Sequence, residues 1–289
     1  MFPFTVPVTQ IIRERYSCRA YNKTPIAAEQ AGQLAEFAAS MTRGPMDTPL
    51  RFELAVAMAN DPQALRGLGT YGLIRDAAGF IIGAAGRGQN RLEDYGYGLE
   101  AIILHATSLG LATCWLGGNF SKSSFAKKIR AAPDEIVPCV ASVGYAAEGN
   151  RTRDPLRRMA KSDCRLPWDA LFFHSGFGTP LAEESAGAYA VPLAMLRLAP
   201  SSHNYQPWRV VQDGPRYHFH LQRTRGYGPG TLLFTLLGIA DLQRVDMGIA
   251  MCHFELTARE MGLAGEWAVN DPCLGKPDGM LEYVVTWTG

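Results

Sequence analysis

Apolar and polar positions along this chain follow two periods, and the changes between them mark the elements. The first stretch reads as a helix over about Val8 to Tyr16. A second helix is predicted over about Ala27 to Met41, with Leu34, Phe37 and Ala38 at helical spacing. Phe52 to Met58 reads as a strand, and so does Ala78 to Ala84, a short apolar run bounded by glycine that belongs in a buried sheet. From Asp94 to Leu109 the pattern is helical again, with Leu99, Ile102, Ile103 and Ala106 on one face and Gly110 as the stop. A helix over Ser121 to Ala131 and a strand over Val137 to Val143 follow. Further on come a helix over about Leu181 to Leu198 leading into Pro200, strands over Trp208 to Gln212 and Arg216 to Gln222, a helix over Asp246 to Met261 stopped by Gly262, and a closing strand over Leu281 to Trp287. Helix and strand alternate irregularly, with few βαβ signals, so an α+β fold is expected rather than a doubly wound sheet.

The second series of elements echoes the first. At one fixed offset Asp94, Gly96, Ala106, Gly110, Leu111, Ala112 and Trp115 meet Asp246, Gly248, Ala258, Gly262, Leu263, Ala264 and Trp267. A slightly different register sets Pro49 and Arg51 on Pro207 and Arg209, and places Phe52 and Trp208, both expected in the core, in matching strands. Two diverged, collinear copies of a unit of roughly 150 residues are expected, residues 1–165 and 166–289, packed about a pseudo-twofold axis.

Composition narrows the class. With 289 residues, 47 % hydrophobic and 19 % charged, the chain can bury a large core without metal or disulfide staples. A formal charge of +1 argues against nucleic acid or an anionic membrane held by bulk charge. No signal peptide and no membrane span is read, and the six scattered cysteines form no CxxC pair, which fits reduced thiols in the cytoplasm.

Three segments carry candidate chemistry, and a fourth bears on them. In Arg15-Tyr16-Ser17-Cys18-Arg19 two guanidiniums flank a hydroxyl, which is either a basic helix end or a phosphate grip. The second copy has Phe173-His174-Ser175 there, without either arginine. The loop Pro200-Ser201-Ser202-His203-Asn204 is either a turn held by side-chain bonds or a surface for a flat heterocycle. Trp115-Leu116-Gly117-Gly118 follows the long helix, as a plain helix-to-helix turn or as backbone that a ligand can approach closely. Glu148 to Arg165 holds the one dense basic patch, including Arg157 and Arg158, read as a solvated linker or an anion clamp. None of the six histidines makes a triad or metal cluster; His218 and His220 share a strand face and read as structural. Arg223 and Arg225 read as a solvated turn.

Together "IIRERYSCRAY", "DYGYGLEAIILHATSLGLATCWLGG", "VGYAAEGNRTRDPLRR" and "APSSHNYQPWRVV" resemble the flavin-dependent nitroreductase family, in its Thermotoga-type form with both subunits fused in one chain. The resemblance implies the nitroreductase-like fold and FMN bound between the repeats. It places Arg15, Ser17 and Arg19, with Tyr16 beside them and Arg157 and Arg158 completing the clamp, at the flavin phosphate. Pro200, Ser201, Ser202 and Asn204 are placed at the isoalloxazine, Trp115, Gly117 and Gly118 at the flavin face, and Arg75 at the pyrimidine edge. The two copies keep complementary halves, so one FMN per chain is expected rather than two. NAD(P)H would be the electron donor and a nitroaromatic or quinone-like small molecule the acceptor, in a ping-pong cycle on a monomer. The alternative is a flavin-binding or regulatory protein on the same fold without turnover.

Overall fold

The computed structural model describes residues 4–57, 65–118, 120–228, 231, 234, 238–275 and 279–289. Among them the first half forms α1 (Val8–Glu14), α2 (Ala28–Ser40), β1 (Leu50–Val56), β2 (Gly79–Ala85), α3 (Arg91–Ser108), β3 (Ala112–Leu116), α4 (Lys122–Lys128) and β4 (Val140–Gly144). Two short helices, α5 (Asn150–Arg153) and α6 (Pro155–Met159), lead across to β5 (Phe172–His174). The second half continues with α7 (Ala190–Arg197), β6 (Trp208–Asp213), β7 (Arg216–Gln222), α8 (Leu242–Glu260), β8 (Glu266–Ala268) and β9 (Leu281–Thr288).

The duplication is visible in the sheets. The first has the strand order β1-β2-β4-β3, antiparallel throughout. The second has β6-β7-β9-β8, the same order with equivalent strands, plus β5 added in parallel at the β6 edge. Every residue of β2 is buried, as its unbroken apolar run requires of a strand covered on both faces.

The long helices α3 and α8 are buried around nearly their whole circumference and pack on one another at the centre of the molecule. Their contact is reciprocal. A Cβ on Gly96 would stand 2.1 Å from the Val245 carbonyl oxygen, and one on Gly248 would stand 1.8 Å from the Glu93 carbonyl oxygen. Gly96 and Gly248 are equivalent in the repeat, and so are Glu93 and Val245, so the contact is isologous, as a twofold relation demands. One hydrophobic core spans both halves, with Leu34, Tyr95 and Ile102 in the same cluster as Trp208, Phe254 and Trp287. Phe52 and Trp208 are both core residues, as expected.

Several expectations need correction. The first helix ends at Glu14, because Arg15 is already extended at ψ 131°. The strand expected to reach Met58 ends at Val56, and Met58 itself lies outside the described residues. The segment expected as a turn after the long helix is β3, paired with β4 through Cys114↔Ser142. The single helix over Leu181 to Leu198 is a 3-10 segment, Glu183–Tyr189, broken at Gly187 (φ 55°, ψ −132°), followed by α7. Arg223 is not in a solvated turn: it pairs with Asp241 at 2.8 Å and Glu282 at 2.7 Å. Arg244 then joins Glu282 to Glu93 of the first repeat, at 3.1 and 2.6 Å. His218 and His220 are buried, with His218 Nδ1 2.7 Å from the Thr286 hydroxyl, in keeping with a structural role. No helix among the described residues is long and apolar enough to cross a membrane, and none of their His, Cys, Asp and Glu side chains cluster as a metal site.

Candidate functional site

The chain leaves α1 as an extended segment held on both sides. The Cys18 N–H donates to the Thr113 carbonyl at 2.8 Å, the Arg75 N–H to the Arg19 carbonyl at 2.9 Å, and the Tyr21 N–H to the Arg75 carbonyl at 3.1 Å. In extended chain alternate residues share a face, so Arg15, Ser17 and Arg19 fall together while Cys18 turns into the core. The backbone of Arg75 therefore builds this segment, while its side chain is exposed.

The basic patch folds onto the same face. Asp154 caps α6, accepting from the Leu156 N–H at 2.9 Å and the Arg157 N–H at 3.4 Å, with Pro155 in the first helical position. The other oxygen of Asp154 binds Arg19 Nη1 at 2.7 Å. This cap carries Arg157 inward, where its guanidinium lies 5.4 Å from the Tyr16 ring, as does that of Arg151. Arg157 is buried and pairs with Asp163 at 2.6 Å, whereas Arg158 stays exposed. Arg165 donates to the Ser162 and Cys164 carbonyls at 2.8 Å and to the Leu198 carbonyl at 3.0 Å.

These arginines are short of acceptors. Nε and Nη1 of Arg15, and Nε of Arg19, Arg157 and Arg165, are buried without a hydrogen-bond partner. An orphaned buried N–H costs free energy, and a charged one costs more. Burial pushes the Arg15 guanidinium below its ordinary pKa, and the neighbouring Arg157 and Arg151 add to the shift against the pull of Glu100. Arg165 is pushed down to about 10, by burial first and then by Arg15. A phosphate oxygen is the acceptor such a group of donors fits. A shallow cavity of about 180 Å³ opens beside Glu14, Arg15, Tyr16 and Thr113.

Beneath Arg15 lies a buried carboxylate. Glu100 of α3 accepts from Trp115 Nε1 at 2.7 Å and lies 2.9 Å from His253 Nε2 of α8, while Arg15 Nε stands 3.7 Å away.

The loop of the second repeat closes in from the other side. The Asn204 side-chain amide donates to the Lys161 carbonyl at 2.8 Å and the Cys164 carbonyl at 3.1 Å, which ties this loop to the stretch carrying Arg157 and Arg165. Ser201 Oγ accepts from the Gln206 N–H at 2.9 Å, and Ser202 Oγ bonds the Tyr227 hydroxyl. His203, Asn204 and Gln206 all have positive φ (52°, 59° and 51°), and such clustered backbone strain is characteristic of functional loops. The anchor is Asp246, whose two oxygens accept the Ser202 N–H at 3.0 and 3.1 Å and whose carboxyl is held well above the ordinary range by burial. Its repeat equivalent, Asp94, anchors the corresponding loop of the first half through the Met46 and Thr48 N–H groups, at 2.8 and 3.0 Å. His203, Tyr205, Tyr227 and Phe234 form a ring cluster over this loop.

Gly117 and Gly118 face the second repeat. A Cβ on Gly117 would stand 2.7 Å from a methyl of Leu242, and one on Gly118 would stand 3.4 Å from Ile239, so a larger residue at 117 would have to displace the Leu242 side chain.

The structure thus brings together Arg15, Tyr16, Ser17, Arg19 and Arg157, and sets the 200–204 loop against the same basic segment. It leaves the side chains of Arg75 and Arg158 exposed. Sequence reasoning held Arg165 only as the end of the basic patch, and missed Asp154, Glu100 and His253 as members of the site. The last two carried a signal, a Glu and a His inside the apolar faces of the two long helices, where unpaired charge is not tolerated.

Comparison with known proteins adds three findings. A family model described as "Putative TM nitroreductase" matches residues 7–258. A solved structure titled as a putative nitroreductase from Thermotoga maritima MSB8 is similar at a TM-score of 0.60 and 19 % identity, covering 98 % of this chain and 94 % of that one. A nitroreductase with bound FMN from Bacteroides fragilis NCTC 9343 is matched over 50 % of this chain and 91 % of that one, at 24 % identity and a TM-score of 0.36. No curated protein matches.

Proposed function

We propose that this chain, which belongs to the "Putative TM nitroreductase" family, is an oxidoreductase that binds one FMN between its two repeats. The observation that carries the reading is the set of buried, unpaired guanidinium N–H groups on Arg15, Arg19, Arg157 and Arg165. In this reading Arg15, Ser17, Arg19, Arg157 and Arg165 hold the phosphate. Gly117, Gly118 and the Pro200–Asn204 loop, with Trp115 beneath, border the ring. FMN held there would supply two-electron redox chemistry between NADH or NADPH and a nitroaromatic or quinone-like acceptor, in a ping-pong cycle. The protein's own work is to bind and orient. The arginines neutralise the anionic tail, and the loop anchored by Asp246 supplies a rigid wall from the other repeat. The tilted and edge-on rings of His203, Tyr205 and Tyr227 stand beside that wall, where a flat acceptor would enter. Arg158, turned outward, is left out of this phosphate grip, and Arg75, expected at the pyrimidine edge, has an exposed side chain. The fused pair needs no second chain to complete the site, so it works as a monomer, and we place it in the cytoplasm.

A second reading is a flavin-binding or regulatory protein without turnover. What favours it is that the Asn204 amide is spent on two carbonyls of the protein itself and Leu242 packs on Gly117. Stopped-flow mixing of the flavin-loaded chain with NADH and with NADPH separates the two. Bleaching of the flavin band by either donor, and its return on adding a quinone, is the expected result. A bound flavin that neither donor bleaches would leave the second reading standing.

A further inference from the structure

The basic clamp lies wholly on the first repeat and on the segment that follows it, yet one of its supports belongs to the second. Glu100 Oε1 sits between two nitrogens: His253 Nε2 at 2.9 Å and Arg15 Nε at 3.7 Å. The other oxygen of Glu100 is taken by Trp115 Nε1 at 2.7 Å. Glu100 and His253 are fully buried, and Arg15 is 6 % exposed. The far nitrogen of the imidazole, Nδ1, is 3.1 Å from the Met195 carbonyl, so both ring nitrogens face acceptors and the ring is fixed at both ends. Arg15 Nε makes no hydrogen bond although a carboxylate lies within reach of a small side-chain shift, and its Nη1 is unpaired too.

We propose that His253 is a positioning residue for the anion clamp. By occupying Glu100 Oε1 it keeps that carboxylate from capturing Arg15, and so leaves the guanidinium directed at an incoming phosphate. This rests on the FMN-phosphate reading above. The competition is physical. A carboxylate and a guanidinium left together in a buried site close into a short, charge-assisted pair, because an unpaired buried charge is costly. With His253 in place, Oε1 is already satisfied and Arg15 keeps its donors free. The second repeat thereby sets the anion affinity of the first across the α3–α8 interface, with no contact to the ligand. The second repeat also lacks its own clamp, having Phe173 and Phe177 where the first has Arg15 and Arg19.

The test is a pair of titrations on the full-length, flavin-free chain, one with FMN and one with riboflavin, which has the same ring and no phosphate, each read by quenching of flavin fluorescence. The reading beneath this proposal requires the wild-type chain to prefer FMN. Equal affinity for the two would sink that reading and the proposal with it. Given the preference, His253→Leu should weaken FMN about tenfold or more, the loss of one charge-assisted contact to the phosphate, while riboflavin changes by less than about twofold. Adding Glu100→Gln to His253→Leu removes the competing charge and should return FMN affinity to within about threefold of wild type. Unchanged FMN binding in His253→Leu, an equal loss for both flavins, or a double variant no better than the single one would each overturn the proposal. Should His253→Leu fail to fold, Glu100→Gln alone serves. It keeps His253 and the packing, and because His253 already holds Glu100 off Arg15, the FMN preference should stay within about threefold of wild type; a fall of about tenfold, as for a carboxylate that itself orients Arg15, would overturn the proposal.

Discussion

Replacing Gly248 by alanine tests whether the two repeats are joined through backbone rather than side chains. The new Cβ would stand 1.8 Å from the Glu93 carbonyl oxygen and 2.7 Å from the Tyr97 nitrogen. Ordinary contact begins near 3.4 Å, so α3 and α8 must part locally by about 1.6 Å. The obstructing atoms are main chain inside a buried helix and cannot rotate away. Overpacking of this kind costs about 1–3 kcal/mol, and a rigid carbonyl puts the site at the upper end. Alanine returns about 1 kcal/mol of helix propensity, leaving a net loss of about 2 kcal/mol, or a fall in Tm of about 5 °C for a chain of this size. Gly32, in α2, is the control, since nothing lies within 4 Å of its Cβ position. Gly32→Ala should raise stability by up to about 1 kcal/mol. Thermal and urea unfolding of both variants provide the assay. A Gly96→Ala/Gly248→Ala double variant should lose less than the sum of the two singles, because helices already pushed apart accommodate the second methyl. A Gly248→Ala protein as stable as wild type, or gaining as much as Gly32→Ala, would refute the reasoning.

Other consequences are open to direct measurement. Arg15→Ala combined with Arg19→Ala removes three of the five unpaired donors and should abolish FMN retention through gel filtration; retention equal to wild type would place the phosphate elsewhere. Burial raises the Asp246 carboxyl well above its ordinary pKa, so the folded state binds this proton more tightly than the unfolded state, and its contribution to stability falls as pH rises from the ordinary carboxylate range towards the folded pKa. Asp246→Asn does not titrate, so in urea unfolding at a series of pH values its stability relative to wild type should improve as pH rises; a pH-independent difference would contradict the burial argument. Cys164 and Cys273 are exposed and the other four thiols buried, so a thiol reagent should label two cysteines quickly in the native chain and all six in denaturant; fast labelling of more than two would show that the core opens.

Much of this architecture was legible in the sequence because local pattern and tertiary demand agree there. The duplicated Asp-x-Gly and Gly-Leu-Ala-x-x-Trp signatures sit at the helix contact and at the strand after it, where backbone approach and indole packing leave little choice of residue. The strand β2 was readable because burial on both faces leaves an unbroken apolar run. Shorter elements were not readable. β3 carries Thr113, Cys114 and Trp115 straight after a glycine stop, and its strand character comes from pairing with β4 rather than from its own pattern. The 3-10 segment before α7 has helical composition, and only the geometry at Gly187 breaks it. At the site, Arg15, Ser17 and Arg19 could be picked out because two guanidiniums flank a hydroxyl in a motif resembling the family's, but the extended chain that sets them on one face could not, since the helical pattern runs on to Tyr16. Arg157 and Arg158 are neighbours in sequence, and the Asp154 cap alone decides that the first turns inward and the second outward. The Glu100–His253 pair spans both repeats, and no local window contains it.

In the proposed reading one chain offers one phosphate grip, built on the first repeat and closed by the second. The most direct measurement is the stoichiometry and selectivity of flavin binding by the purified full-length chain, from its visible spectrum and a calorimetric titration. One FMN per chain, held more tightly than riboflavin, is the expected result. Two FMN per chain, none at all, or equal affinity for riboflavin would contradict it.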